Sequence, residues 1–383
     1  MEKKRILFFT NGLYGGGAET IQQTILNNLD ANKYDIVLYS VNRCKINELY
    51  PGTIRYRYIF DQTDSTNFLY KTYIKIVNKL KLITFNKCSS KLFYKLFVRG
   101  NYDSEIAFIE GYATKIVSGS TNKKSKKIAW VHIDLESNHW TKKVYRNDKQ
   151  EETAYMQFDS VLCVSNNVKD AMKSLFPLIE NKLRVCYNPI DENKIKRLSN
   201  EKVDEDTRQL NKEIKLISIG RLVSQKGYDR LFPLIKVLKD EGYSVSLRII
   251  GQGKDEYLLE RYVRDNELQD VISLLGYKSN PYPYLKESDL FVCSSRSEGY
   301  STVITEALVL GVPVLSTKCS GVGELLGNGE FGYIVENTDE ALLEGLRNMI
   351  SDKKLLEHFR EKSVERGAYF KLSNLMKNVE DLI

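Results

Sequence analysis

Long hydrophobic runs, paired cysteines and, over one long stretch, acidic residues are what this chain lacks. No apolar stretch in its 383 residues approaches the ~20 needed to cross a bilayer as a helix. Its opening carries basic residues but only a short apolar run, Ile6-Leu-Phe-Phe9, too brief for the apolar region of a secretory signal and expected instead to be a first buried strand. Cys44, Cys88, Cys163, Cys186, Cys293 and Cys319 are scattered, with no C-x-x-C and no histidine nearby. A disulfide framework and a structural zinc are therefore not expected, and a reduced, cytosolic compartment is. Between Asp64 and Asp103 there is no acidic residue at all.

What is present is the composition of a soluble globular protein, 42% hydrophobic and 28% charged, with length enough for two domains. The net charge of +7 is uneven: residues 1–185 hold 29 Lys and Arg against 18 Asp and Glu, and 186–383 hold 28 against 32. Most of the excess falls in the acid-free stretch, where Lys71, Lys75 and Lys79 repeat every four residues among Leu69, Tyr73, Ile76 and Leu80. Such a basic amphipathic helix suits an anionic membrane surface, here through residues 69–99, or a solvated lysine face over a core helix.

Strand-like and helix-like patterns alternate in two series. The first has strands at 5–10, 34–41, 104–109, 127–132, 160–165 and 183–188, with helices including 18–29 and 167–176. The second has strands at 215–220, 246–250, 271–274, 290–293, 314–316 and 332–335, with helices including 227–241, 255–266, 302–310 and 339–351. This alternation implies two parallel sheets with crossover helices. The charged segment 191–213 reads as a linker and entry to the second domain.

Chemistry-bearing residues gather where strands are expected to end. Glu298 follows the strand 290–293, and Glu306 is expected in the opening turn of the next helix. Ligands of open α/β sheets bind at strand C-termini, and ionised carboxylates there accept hydrogen bonds from hydroxyls, as of a sugar or ribose. Arg221 and Lys226 lie on the turn after the strand 215–220, where a diphosphate would meet both charges and a helix N-terminus. Gly15-Gly16-Gly17 opens the first helix, a turn that lets an anion approach closely, but it is not a G-x-G-x-x-G and does not point to a nicotinamide cofactor. His132 ends a strand in Trp130-Val-His132. Asp204-Glu205-Asp206 has the D-x-D form of a metal site, yet its place in the charged segment favours solvated charge, so no metal is expected.

Taken together these residues resemble the retaining nucleotide-sugar glycosyltransferases called glycosyl transferases group 1, or family four. The motifs are Gly220-Arg221-x4-Lys226-Gly227, Ile249-Ile-Gly251-x-Gly253, Leu275-Gly276-Tyr277, Ser297-Glu298-Gly299-x6-Glu306-Ala307, Gly311-Val-Pro313-Val, Gly321-Val-Gly-Glu324-Leu and Gly332-Tyr-Ile-Val335. Looser matches are Gly15-Gly-Gly-Ala-Glu19, Val164-Ser165 and Asn188-Pro-Ile-Asp191. The resemblance implies the α/β GT-B architecture, two doubly wound parallel-sheet Rossmann-like domains facing each other across a cleft. Residues 1–190 would be the acceptor-binding domain, 191–366 the nucleotide-sugar-binding domain, and 367–383 a helix crossing back to the first.

Carried over residue by residue, Arg221 and Lys226 would bind the diphosphate and stabilise it as leaving group in place of a metal. Glu306 would accept the ribose hydroxyls, Glu298 would face the donor sugar, and His132 would contact a sugar hydroxyl. The turn Gly15–Gly17, with Gly16 and Gly17, would close over the diphosphate or frame the acceptor, and Gly299, Tyr300, Ser301 and Thr302 would complete the donor site. Retention would let the leaving diphosphate take the acceptor's proton, with a Glu298 nucleophile as the alternative. Ser301 and Gly323 depart from common family residues and bear on which sugar is used.

The implied function is transfer of a hexose or N-acetylhexosamine from a UDP-sugar to a lipid-linked saccharide, at the inner face of the plasma membrane, in cell-surface polysaccharide biosynthesis. No cofactor, metal or nucleic-acid partner is implied. The alternatives are a sugar-nucleotide epimerase or phosphorylase on the same frame, and a basic nucleic-acid-binding protein, for which no recognised module is present.

Overall fold

The computed structural model describes residues 3–12, 16–46, 50–62, 67–203 and 213–383. The chain divides into two compact units: Met1–Tyr187 together with Met376–Ile383, and Asn188–Leu375.

In the first unit the strands are β1 (Lys4–Thr10), β2 (Tyr34–Asn42), β3 (Arg55–Phe60), β4 (Ser104–Ala107), β5 (Lys126–Val131), β6 (Ser160–Cys163) and β7 (Leu183–Val185). They form one sheet in the order β3-β2-β1-β4-β5-β6-β7, every pair parallel. Ile6, Leu7, Phe8 and Phe9 are all fully buried, so β1 reads as an unbroken apolar run rather than an alternating one. That is the signature of a parallel strand covered on both faces. The helix Leu372–Leu382 buries Met376 and Val379, and the Ile383 carbonyl accepts from Lys4 Nζ at 2.6 Å and Ser104 Oγ at 2.7 Å, closing the chain beneath β1 and β4.

The second unit contains β8 (Ile214–Ile219), β9 (Val245–Ile250), β10 (Ile272–Leu274), β11 (Leu290–Cys293), β12 (Val314–Thr317) and β13 (Tyr333–Val335), in the all-parallel order β10-β9-β8-β11-β12-β13. Its core gathers Leu216, Leu247, Ile249, Leu290 and Val292 from the strands with Leu231, Ile235, Leu346 and Met349 from the helices. Both sheets reverse direction of growth once, between β1 and β4 and between β8 and β11. Those reversals are the switch points at which open α/β sheets leave a crevice.

Three expectations change. β3 was not anticipated, because Arg-Tyr-Arg-Tyr-Ile-Phe is half polar, as an edge strand can be. Within the expected linker, Glu192–Leu198 is a helix whose first turn is capped by the Asp191 carboxylate accepting from Lys194 N at 2.9 Å, and it buries Ile195. Glu306 lies in the second turn of the helix Thr302–Val309, not the first, because Ser301 is the N-cap.

Candidate donor site at the second switch point

The turn that leaves β8 and the turn that leaves β11 are fastened to each other. After Gly220 and Arg221, residues Ser224–Lys226 make one 3-10 turn, and Gly227, at φ +70°, starts the helix Tyr228–Asp240. A Cβ on Gly227 would stand 2.1 Å from the Ser294 carbonyl oxygen, so both the left-handed backbone and the close approach demand glycine. Ser294 Oγ donates to Lys226 O at 2.9 Å, Gln225 Nε2 to Ser297 O at 2.8 Å and Arg296 N to Gln225 O at 2.8 Å. Buried Arg230 donates to the carbonyls of Ser294 and Ser295, holding the second turn from beneath.

This frame brings two of the expected residues together. Lys226 Nζ donates to Glu298 Oε1 at 2.7 Å, and Ser295 Oγ donates to the same oxygen at 2.5 Å. Burial pulls the Lys226 ammonium toward neutrality, but Glu298, Cys293 and Tyr228 outweigh it, and its pKa is raised. The turn after β11 therefore holds its carboxylate beside a cation. Arg221 is not part of this cluster: it is exposed, and its guanidinium makes no hydrogen bond or ion pair among the described residues. It is a free cation at the mouth of the same turn.

Gly299, Tyr300 and Ser301 are buried and run into Thr302, the first residue of the following helix. A Cβ on Gly321 would meet the Gly299 carbonyl at 2.1 Å, so the turn after β12 presses against this segment. One turn along the helix, Glu306 is separate from the Lys226 cluster. Its only donor among the described residues is the hydroxyl of Tyr282, at 3.3 Å. Burial raises the Glu306 carboxyl to about 7, and the hydrogen bond from Tyr282 opposes it.

In the first unit, Gly16 caps the helix Gly17–Asn28 in extended conformation, and a Cβ there would lie 2.6 Å from Glu19 Oε2, the end of a flexible side chain. His132 follows β5 directly. Its ring stacks on Trp130 and lies 4.7 Å from the Phe108 ring, with both ring nitrogens buried and no hydrogen bond of good geometry to either among the described residues. Burial pushes its pKa down to about 4, so the imidazole is neutral at physiological pH.

Sequence reasoning missed Glu110. This buried carboxylate follows β4 at the first switch point and accepts from the His132 backbone N–H at 3.0 Å and from Trp140 Nε1 at 3.1 Å. A lone acid closing the apolar run Ile106–Ile109 was the available signal. Ser295 and Tyr282 carried no such signal. Among the described residues no group of three His, Cys, Asp or Glu side chains is placed to hold a metal ion, and Asp204-Glu205-Asp206 lies outside them.

Residues 199–366 match the family model of glycosyl transferases group 1. The chain is 32% identical over 221 residues to a Campylobacter jejuni N-acetylgalactosamine-N,N'-diacetylbacillosaminyl-diphospho-undecaprenol 4-alpha-N-acetylgalactosaminyltransferase, covering 56% of this chain and 57% of that one. It is 30% identical over 216 residues to the Staphylococcus aureus capsular polysaccharide biosynthesis glycosyltransferase CapM, covering 54% and 56%. The chain thus spans little more than half the length of these curated relatives. Among solved structures, Anabaena HepE in complex with UDP and glucose superposes with a TM-score of 0.74 over 98% of both chains at 16% identity. Sucrose-phosphate synthase from Thermosynechococcus elongatus gives 0.73 over 99% of this chain and 98% of its own at 14% identity.

Proposed function

We propose that this chain transfers a hexose or N-acetylhexosamine from a UDP-sugar to a lipid-linked saccharide, with retention; the match of residues 199–366 to glycosyl transferases group 1 and the GT-B arrangement of two parallel sheets support the reading. The observation that carries the reading is the second switch point, where Lys226 and Arg221 leave β8 opposite Glu298 leaving β11. Lys226 and Arg221 take the donor's diphosphate. A diphosphate arriving there competes with Glu298 for the Lys226 ammonium, which releases the Glu298 carboxylate toward the sugar hydroxyls. Glu306 accepts the ribose hydroxyls, and the buried segment Gly299–Thr302 lines the sugar.

The bond between the anomeric carbon and the diphosphate oxygen breaks, and the electron pair leaves with UDP, whose charge the two cations stabilise without a metal. The acceptor hydroxyl forms the new bond on the same face and its proton passes to the departing diphosphate. On the first unit, His132 offers a neutral imidazole that donates from one nitrogen and accepts at the other, and the Gly16–Gly17 helix start offers free N–H groups.

The lipid-linked acceptor and a place on the membrane's inner face draw on the first unit's helix Phe68–Lys87. Leu69, Tyr73, Ile76, Leu80 and Ile83 recur at helical spacing on one face and are between 43% and 77% exposed. Lys71, Lys75 and Lys79 run alongside, and the opposite face packs through Phe85. An anionic lipid surface satisfies both the stripe and the lysines. A second copy of the chain would set lysines against lysines, with no acid within residues 65–102 to answer them. No helix among the described residues is long and apolar enough to cross a membrane. The Campylobacter relative is named for transfer onto a diphospho-undecaprenol, and CapM for capsule assembly.

The test is nucleotide release from a panel of UDP- and GDP-sugars with membrane extract as acceptor. UDP release that needs the extract, survives EDTA and disappears in Lys226→Ala supports the reading. Epimerised sugar without acceptor would favour the epimerase alternative, and loss of activity in EDTA would return attention to Asp204 and Asp206. Flotation with phosphatidylglycerol vesicles, lost in Leu69→Glu/Ile76→Glu, tests the membrane surface.

A further inference from the structure

Tyr282 has no role in the reading above, yet the fold places it with care. It opens the short helix Tyr282–Lys286, reached from β10 through the turn at Gly276, whose carbonyl accepts from Gly251 N at 2.9 Å. Asn280 ties the start of that helix down. Its Oδ1 accepts from Tyr282 N at 3.2 Å, and its Nδ2 donates to Leu198 O at 3.0 Å and to Glu201 Oε2 at 2.8 Å. At the other end Lys286 Nζ donates to Asn200 Oδ1 at 2.6 Å. The phenol so held points its hydroxyl at Glu306 Oε1.

We propose that Tyr282 is a donor-positioning residue, its hydroxyl orienting the Glu306 carboxylate and favouring the charged form that receives the ribose of the UDP-sugar. The inference rests on the assignment of Glu306 to the ribose. A carboxylate buried to this degree needs a donor to remain charged, and among the described residues Tyr282 is the one it has. The groups around the pair are few. Tyr282 also feels Asp191, at the start of the helix Glu192–Leu198, while Glu306 is shifted by burial and by Tyr282 alone. Since Glu306 is raised to about 7, losing the hydroxyl moves its ionisation further up, into the alkaline range.

The experiment is the affinity of the full chain for UDP-glucose, read by calorimetry from pH 5.5 to 9, in the parent, Tyr282→Phe and Glu306→Gln. The probe's diphosphate diester carries constant charge over that range. His132 has already lost its proton below it, and Lys226 keeps its proton throughout. In the parent, affinity rises with pH and levels off above a midpoint near 7. In Tyr282→Phe the midpoint moves up by roughly one to two pH units, with about tenfold weaker binding at pH 7 and near-parental binding at pH 9. Glu306→Gln binds weakly with no such midpoint. That control also separates Glu306 from Glu105, Glu110 and Glu151, raised by burial in the first unit. An unmoved midpoint in Tyr282→Phe, or a loss equal at every pH, overturns the role of Tyr282 and leaves Glu306 standing. A Glu306→Gln protein that keeps the parental profile overturns the ribose assignment itself.

Discussion

Replacing Lys226 with methionine removes the cation from a pair in which the two side chains are only 18% and 9% exposed. At 2.7 Å and an effective dielectric of about 20, the gross attraction is ~6 kcal/mol, most of it offset by the cost of taking both charges out of water. What the substitution exposes is that desolvation cost, because Glu298 then stays buried with Ser295 Oγ as its remaining side-chain donor among the described residues. The expected destabilisation is about 3 kcal/mol, at the lower end for a broken buried pair because Lys226 is not fully enclosed. Glu298→Gln is expected to cost less, since the freed ammonium is the more exposed partner and can turn to water. The double variant Lys226→Met/Glu298→Gln should recover about 1–3 kcal/mol relative to the sum of the singles. Hydrogen exchange over residues 290–310 reads the affected turn. Trp130 and Trp140, the chain's two tryptophans, both lie in the first unit, so their fluorescence serves as an internal control that should not move. Additivity within about 0.5 kcal/mol would refute the claim that the pair braces the two turns.

Other perturbations reach the remaining parts of the argument. Gly227→Ala meets both a φ of +70° and the Ser294 carbonyl, and should cost about 2 kcal/mol or more in chemical denaturation, with loss of donor binding. Glu110→Gln presents an amide N–H to one of two buried donors, the His132 N–H or the Trp140 indole. We expect about 2 kcal/mol of destabilisation and a red-shifted tryptophan emission. His132 titrates near 4 in the fold against ~6.5 unfolded, so the stability it confers is fully present above pH 6.5 and lost as pH falls toward 4. His132→Gln should therefore flatten the acid side of the first unit's stability profile, by up to about 3 kcal/mol, followed by tryptophan fluorescence.

The sequence alone determined the two parallel α/β series, because buried parallel strands such as Ile6–Phe9 and Leu290–Cys293 are apolar on both faces and the helices between them repeat at 3.6. It also marked the turns after β8 and β11, since chemistry-bearing side chains directly after an apolar run must emerge at a strand's C-terminal end. It could not mark β3, whose alternating arginine and tyrosine reflect a half-exposed sheet edge, nor the helix Glu192–Leu198, whose one buried contact, Ile195, is diluted by charge. Only the tertiary structure decided partners. Lys226 meets Glu298 rather than standing with Arg221, Tyr282 reaches Glu306 from a short helix 24 residues earlier, and Glu110 spans the His132 backbone and Trp140. The strand order sets the first and last of those pairings by placing β11 beside β8 and β5 beside β4, and sheet order is a property of packing that spacing along the chain does not encode.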